Sequence, residues 1–326
     1  MRTQSIQVQR PGGPAELRPL QLELAPPAAR EVRVRQSAIG LNFIDTYYRT
    51  GLYSPPSWPY VPGLEGAGIV TELGPQVHEL EVGTRVVYAS RPMGAYAAER
   101  NMPAARLVRI PEGLDEKDAA AVLFKGLTAE YLLRRMVTLQ PGTWILVHSA
   151  AGGVGSLLVQ WGKHLGLKVI GTVSNEAKAE AARADGAAEI VIVPGEDFVE
   201  RVKKATRGEG CSAVYDAVGK DTFVRSIECV GVRGLLVTYG QSSGLIAPLD
   251  VRLLSNNSIF VARPSLFHYT AGDAEYQRAA AEVLELARDG VLNVRIGQTF
   301  PLADAARAHE ALEGRKTSGS TLLIPG

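Results

Sequence analysis

Residues 144–166, WILVHSAAGGVGSLLVQWGKHLG, read as a buried strand, a glycine turn and an amphipathic helix in direct succession. Trp144, Ile145, Leu146 and Val147 form a short apolar, partly β-branched run that suits a strand covered on both faces. Gly152, Gly153 and Gly155 then strip Cβ atoms from the turn, while Val154, Leu157, Leu158, Trp161 and Leu165 recur at helical spacing on one face. Such a turn brings a helix N-terminus, with its unpaired N–H groups and positive dipole end, against an anion, most often a pyrophosphate. Residues 167–173 read as a second strand, so strand, helix and strand predict one unit of a dinucleotide-binding sheet. A tight packing turn without ligand would use the same glycines, but the flanking strands favour the nucleotide.

Composition narrows the class. The 326 residues suffice for two domains, and 46% hydrophobic with 21% charged residues is ordinary for a globular protein. Lys+Arg 35 against Asp+Glu 34 leave a net charge of +1, so no global field draws the chain to nucleic acid or to an anionic membrane. The two cysteines, Cys211 and Cys229, have no C-x-x-C spacing and provide neither a disulfide framework nor a thiolate zinc cage, which fits a reducing cytoplasm. The opening MRTQSIQVQRPGGPAEL has no apolar h-region, and no apolar run approaches the ~18 residues needed to span a bilayer, so neither export nor insertion is expected.

Before about residue 110 the chain is short alternating runs broken by Gly and Pro, at 5–8, 31–38, 68–73, 85–88 and 94–98, which predicts a β-rich, partly open barrel. Helical periodicity begins after Leu114, with Asp115 as N-cap. Between 125 and 266 strands alternate with helices: strands at 190–193, 213–218, 235–239 and 259–262, helices near 197–206 and 222–230, the pattern of a parallel sheet with crossovers. A long helix at 274–288 ends at Gly290, a shorter one spans 303–313, and a last strand covers 321–324. The C-terminal segment is expected to return to the first domain, leaving a cleft between the two.

Seven motifs then occur in order: Asn42-Phe43-Ile44-Asp45-Thr46-Tyr47, Gly63-Leu64-Glu65-Gly66-Ala67-Gly68, Lys125-Gly126-Leu127-Thr128-Ala129, Ala150-Ala151-Gly152-Gly153-Val154-Gly155, Val214-Tyr215-Asp216, Arg263-Pro264-Ser265-Leu266 and Gly319-Ser320-Thr321-Leu322-Leu323-Ile324-Pro325. By these the chain resembles the zeta-crystallin type of NADPH:quinone oxidoreductase, in the zinc-independent branch of the medium-chain dehydrogenase/reductase superfamily. The resemblance implies an α/β fold: a Rossmann-type doubly wound parallel sheet at residues 125–266 and a discontinuous GroES-like barrel domain at residues 1–124 and 267–326. Relatives that bind catalytic zinc need an early Cys and a His before the motif glutamate. Here the segment from Asn42 to Asp45 and Leu64 stand in those places, and the four-Cys structural lobe is missing, so no metal is expected. Glu65 reads as structural, and His78, His148, His164, His268 and His309 as surface or packing residues.

Without a metal, nicotinamide can still deliver hydride to an acceptor that is already electrophilic, with the protein orienting the partners and excluding water. The resemblance places Asn42, Asp45, Tyr47 and Tyr53 at the catalytic end. Of these, Asn42 and Tyr47 also contact cofactor; no residue stands out as a compulsory proton donor, and either Tyr47 or a water could serve. The alternative for Tyr47, Tyr48 and Tyr53 is barrel packing with hydroxyls in water. Lys125 and Thr128 are implied at the nicotinamide ribose and carboxamide, Gly152, Gly153 and Val154 at the pyrophosphate, and Tyr239, Gly240, Ser242, Ser243 and Phe267 around the nicotinamide and phosphates. At the end of the second strand, Thr172-Val173-Ser174-Asn175 lacks the acid that accepts from a 2′-hydroxyl, and Lys178 adds a positive charge, so NADPH is favoured. Glu176 and Val193 weigh against that preference. Residues 258–262 are expected as an exposed sheet edge that pairs with its twin in a homodimer. Quinone reduction is the leading expectation. Reduction of enal or enone C=C bonds, a nucleotide-gated RNA-binding role and a crystallin-like structural role are the alternatives, with nucleic acid not an expected partner.

Overall fold

Turn residues and alternating apolar positions shape the first third of the chain into β1 (Arg2–Val8), β2 (Leu17–Glu23), β3 (Glu31–Leu41), α1 (Phe43–Arg49), β4 (Glu65–Leu73), β5 (Arg85–Ala89), β6 (Glu99–Pro103) and β7 (Val108–Arg109). In α2 (Glu116–Glu130) Asp115 accepts the N–H of Asp118 at 2.7 Å, the expected cap. Strands and helices then alternate: β8 (Trp144–Val147), α3 (Gly153–His164), β9 (Lys168–Val173), α4 (Glu176–Asp185), β10 (Glu189–Ile192), α5 (Phe198–Ala205), β11 (Cys211–Asp216), α6 (Phe223–Ser226), β12 (Val230–Thr238) and β13 (Phe260–Ala262). The chain finishes with α7 (Leu266–Tyr269), α8 (Asp273–Arg288), β14 (Ile296–Pro301), α9 (Ala305–Glu313) and β15 (Ser320–Ile324). This computed structural model describes residues 1–314 and 317–326.

The chain divides into two compact units, one of Met1–Leu127, Thr270–Gly290 and Val294–Gly326, the other of Thr128–Tyr269 and Val291–Asn293. In the first, the sheet path is β14-β15-β3-β4-β5-β7 with β6 also paired to β3, and β1 and β2 form a separate antiparallel pair. Every pairing in the larger sheet is antiparallel except β14 with β15. Val32, Val34, Ile39, Val70, Val86 and Val87 are buried in this unit. The second unit is a six-stranded sheet in the order β10-β9-β8-β11-β12-β13, parallel throughout. Counted from β8, that order is 3-2-1-4-5-6, so its topological switch lies between β8 and β11. Leu146, Ile170, Val214 and Leu236 pack there against Val199 and Val202 of α5 and Phe223 of α6.

Several expectations require correction. Residues 94–98 contribute only an isolated bridge between Ala97 and Ser5; the paired strand is β6, immediately after. Gly94, at φ +125°, adopts a backbone conformation that ends extended structure. Strands β2, β7 and β14 were not anticipated: β2 is mostly exposed and lacks alternation, and β7 has only two residues. The helix near 222–230 is the single α turn of α6 followed by a 3₁₀ turn at Ile227–Cys229. Helix α1 is a further addition inside a region read as β-rich.

Candidate active site

In the first unit the site-bearing segment begins at α1. Asn42 is its N-cap and Asp45 its third residue: Asp45 Oδ2 accepts the Asn42 backbone N–H at 2.9 Å, and the Asn42 side chain accepts from the third residue in return. The spacing Asn-x-x-Asp was the available signal for this helix. Asp45 is fully buried and its Oδ2 also accepts from Tyr96 Oη at 3.2 Å, so the residue expected at the ligand is turned inward and holds the start of α1. Burial raises its pKa to about 7, against the lowering effect of the Asn42 and Tyr96 hydrogen bonds.

Asn42 is buried too and donates from Nδ2 to Glu65 Oε2 at 2.9 Å. The other Glu65 oxygen accepts the backbone N–H of Phe124 at 2.5 Å, and Lys125 Nζ lies 3.6 Å from Oε2. Glu65 is thus a fully buried brace joining the start of β4, the cap of α1 and α2, in keeping with a structural reading; burial moves its pKa up. Lys125 Nζ is buried, ion-paired with Glu65 but beyond hydrogen-bond distance of it. Tyr47 and Tyr53 are half-buried with rings 5.3 Å apart in an edge contact, whereas Tyr48 is buried and its hydroxyl accepts from Arg91 at 3.1 Å.

Behind α1 lies a buried network absent from the sequence expectations. Arg49 makes a bidentate pair with Glu313 at 2.7 and 3.0 Å and donates to His309 Nδ1 at 3.0 Å. With Nδ1 accepting, His309 donates from Nε2 to Tyr96 Oη at 3.0 Å, and Tyr96 donates onward to Asp45. Burial, and after it the Arg49 charge, hold His309 down at about 3. His309, read as packing, is a packed residue with both nitrogens engaged.

In the second unit the glycine turn stands at the switch point. The N-cap of α3 is Gly152, without a side-chain cap, so the first-turn N–H groups are left for an anion. Gly155 is demanded by the turn itself, because a Cβ there would collide with the Ser149 carbonyl oxygen. Gly152, Gly153 and Val154 share this turn. Ser174 and Asn175 follow β9; Asn175 Oδ1 caps α4 by accepting the Lys178 N–H at 3.0 Å, which commits its oxygen to the fold. Lys178 stands on the first turn of α4, and Glu176 is engaged by Arg183 at 2.7 Å. Tyr239, Gly240, Ser242 and Ser243 form the loop after β12. The Ser243 hydroxyl donates to Val218 O at 2.8 Å, and a Cβ on Gly240 would lie 2.7 Å from Ala217 O, so this glycine serves chain packing. Tyr239 Oη is buried without a partner among the described residues. Phe267 lies on α7 and Thr128 is buried on α2.

Family models match in the same places: that of the alcohol dehydrogenase GroES-like domain over residues 28–135 and that of zinc-binding dehydrogenases over residues 153–286. A quinone oxidoreductase of Pseudomonas aeruginosa is 47% identical over 315 residues, covering 96% of this chain and 97% of that one. The chain belongs to the quinone oxidoreductase family. The structure of the Escherichia coli quinone oxidoreductase complexed with NADPH superposes with a TM-score of 0.95 at 44% identity, covering 99% of this chain and 100% of the other. A 2-haloacrylate reductase of Burkholderia is 40% identical, with 98% of each chain covered. Leu64, before the motif glutamate, is buried, and both cysteines are buried in the second unit with thiols pushed up by burial. Among the described residues no group of three or more His, Cys, Asp or Glu is arranged to hold a metal ion.

Proposed function

We propose that the protein is an NADPH-dependent reductase of quinones that works without a metal. The observation that carries this reading is the uncapped glycine turn at the switch point of a 3-2-1-4-5-6 sheet, in a chain 44% identical over nearly its whole length to a quinone oxidoreductase complexed with NADPH. The first-turn N–H groups of α3, at Gly153 and Val154, bind the pyrophosphate, with Gly152 leading into them. Ser174, Asn175 and Lys178 receive the 2′-phosphate. Val193 supplies no ring to pack on that phosphate, and Arg183 offsets the repulsion of Glu176. Tyr239, Gly240, Ser242, Ser243 and Phe267 flank the nicotinamide half and keep water out.

Bound there, NADPH supplies a hydride to an electrophilic acceptor. Lys125 and Thr128 orient the ribose and carboxamide through the buried ammonium and the hydroxyl. Asn42, Tyr47 and Tyr53 present polar and aromatic edges to acceptor and cofactor. Asp45 acts at one remove, by holding the α1 cap that aims Asn42.

A second reading, reduction of an activated C=C bond, is favoured by the likeness to the 2-haloacrylate reductase. NADPH oxidation followed at the nicotinamide absorbance with 1,4-benzoquinone and with 2-cyclohexenone, in buffer containing a chelator, separates the two. Fast turnover with quinone that survives chelation is expected; preference for the enone selects the second reading, and loss of activity on chelation overturns the metal-free mechanism.

The protein is further proposed to be a cytoplasmic homodimer. β13 is one edge of the parallel sheet, and Phe260 on it is 63% exposed, apolar surface that pairing with a second copy would cover. A monodisperse monomer at micromolar concentration would remove that inference. No helix among the described residues is long and apolar enough to cross a membrane.

A further inference from the structure

The reaction outlined above gives the imidazole of His148 nothing to do, yet this side chain is among the most constrained in the second unit. His148 directly follows β8 and is fully buried. Its backbone N–H donates to Tyr215 O at 3.0 Å, and its ring is held at both nitrogens, Nδ1 at 2.9 Å from Thr172 Oγ1 and Nε2 at 2.9 Å from Ser226 Oγ. Ser226 gives its one hydroxyl proton to Thr222 O at 2.9 Å, so it must accept from Nε2–H. Nδ1 is then left to accept from the Thr172 hydroxyl, and the tautomer is fixed. Thr222 carries the chain of bonds on to the buried carboxylate of Asp216, at 2.8 and 3.0 Å, whose Oδ1 also accepts the N–H groups of Val218 and Gly219. These bonds tie the carboxyl ends of β9, β8 and β11 together beside the switch point.

We propose that His148 is a positioning residue for the dinucleotide, registering the glycine turn on the strand that leads to the 2′-phosphate segment. Thr172 is gripped twice, its hydroxyl by His148 and its carbonyl by the Ala150 N–H at 2.9 Å. Ser149, between the two gripping residues, is held at φ +57°, a conformation that costs a non-glycine residue of order 1 kcal/mol and persists only where its surroundings impose it. From Ala150 the chain enters the turn, and two residues beyond Thr172 it reaches Ser174. The imidazole therefore adds a side-chain tie, beside the Ala150–Thr172 backbone bond, to the spacing between the pyrophosphate site and the 2′-phosphate site. The inference rests on the reading that NADPH binds at this turn.

The test is direct fluorescence titration of the full-length protein with NADPH, alongside thermal unfolding. In H148F both hydrogen bonds are lost and a ring is kept against Phe198, whose centroid lies 5.0 Å away. In H148Q one acceptor and one donor are restored. V202A, in α5, truncates the same core and controls for lost stability. For H148F the Kd for NADPH is expected to rise about tenfold, equivalent to about 1.4 kcal/mol. H148Q is expected to recover most of that loss, and V202A to stay within about twofold of the wild type. Unchanged affinity in H148F, or equal weakening in V202A, overturns the proposal. Should H148F fail to fold, T172V cuts the Nδ1 bond alone and is expected to weaken NADPH by about threefold; wild-type affinity there also overturns it. A wild-type protein that does not bind NADPH overturns the cofactor reading, and this inference with it.

Discussion

Replacing Asp45 with Asn removes a titrating group from the interior while leaving an oxygen to cap α1. The amide oxygen can take the place of Oδ2, which accepts from the Asn42 N–H and Tyr96 Oη, and the amide nitrogen can take the place of Oδ1, which is buried with no partner among the described residues. Burial raises the wild-type carboxyl from 3.8 to about 7. Below about pH 4 folded and unfolded states both hold the proton; between about 4 and 7 only the folded state does, so the contribution of Asp45 to stability falls as pH rises through that window. Going from pH 5 to pH 8 should cost the wild type about 2.5 kcal/mol through this group, at about 1.4 kcal/mol per pKa unit. D45N pays instead for an unpartnered buried amide, about 1 to 3 kcal/mol, and pays it equally at every pH. Urea unfolding of both proteins from pH 5 to pH 8 measures the difference directly. The gap between wild type and D45N should narrow, or reverse, as pH rises. Parallel curves would refute the reasoning, since they would mean that the carboxyl is ionised throughout.

E313A takes the bidentate carboxylate from the buried Arg49 guanidinium, which keeps Gly12 O and His309 Nδ1, and since Glu313 is itself about a third exposed the loss in urea unfolding should be about 1 to 3 kcal/mol; an unchanged midpoint would mean that water replaces the carboxylate. In G155A the added Cβ meets the Ser149 carbonyl oxygen, and since backbone cannot swing aside as a side chain does, the turn must distort; NADPH titration should show affinity lower by tenfold or more, about 1.4 kcal/mol. K178A should reduce the preference for NADPH over NADH by about tenfold with NADH affinity unchanged, read from the two dissociation constants; an unchanged ratio would return Lys178 to the role of a solvated surface residue.

What was legible in the chain follows from period and spacing. The run at 144–166 specifies strand, turn and helix because two local periodicities meet at glycines, and β8 and α3 appear where it puts them. The parallel sheet was equally readable, since fully buried strands are continuous apolar runs. In the first unit the signal is weaker: β2 is exposed along most of its length, so no apolar alternation marks it, and its partner β1 alone was visible. Helix α1 left a readable mark, the Asn-x-x-Asp cap, but its short length and barrel surroundings hid it.

The sequence by itself determined the dinucleotide-binding sheet, the family and the residue types expected around a nicotinamide, because these depend on neighbours close along the chain or on motifs in fixed order. Tertiary structure alone decided which polar groups are spent on the fold. Arg49 is joined to His309 and Glu313 across 260 and 264 positions, Asp45 reaches His309 only through Tyr96, and His148 is joined to Thr172 and Ser226 across strand ends. No local pattern encodes those meetings. A buried polar atom must find a partner wherever the chain returns, and only the folded chain settles where that is.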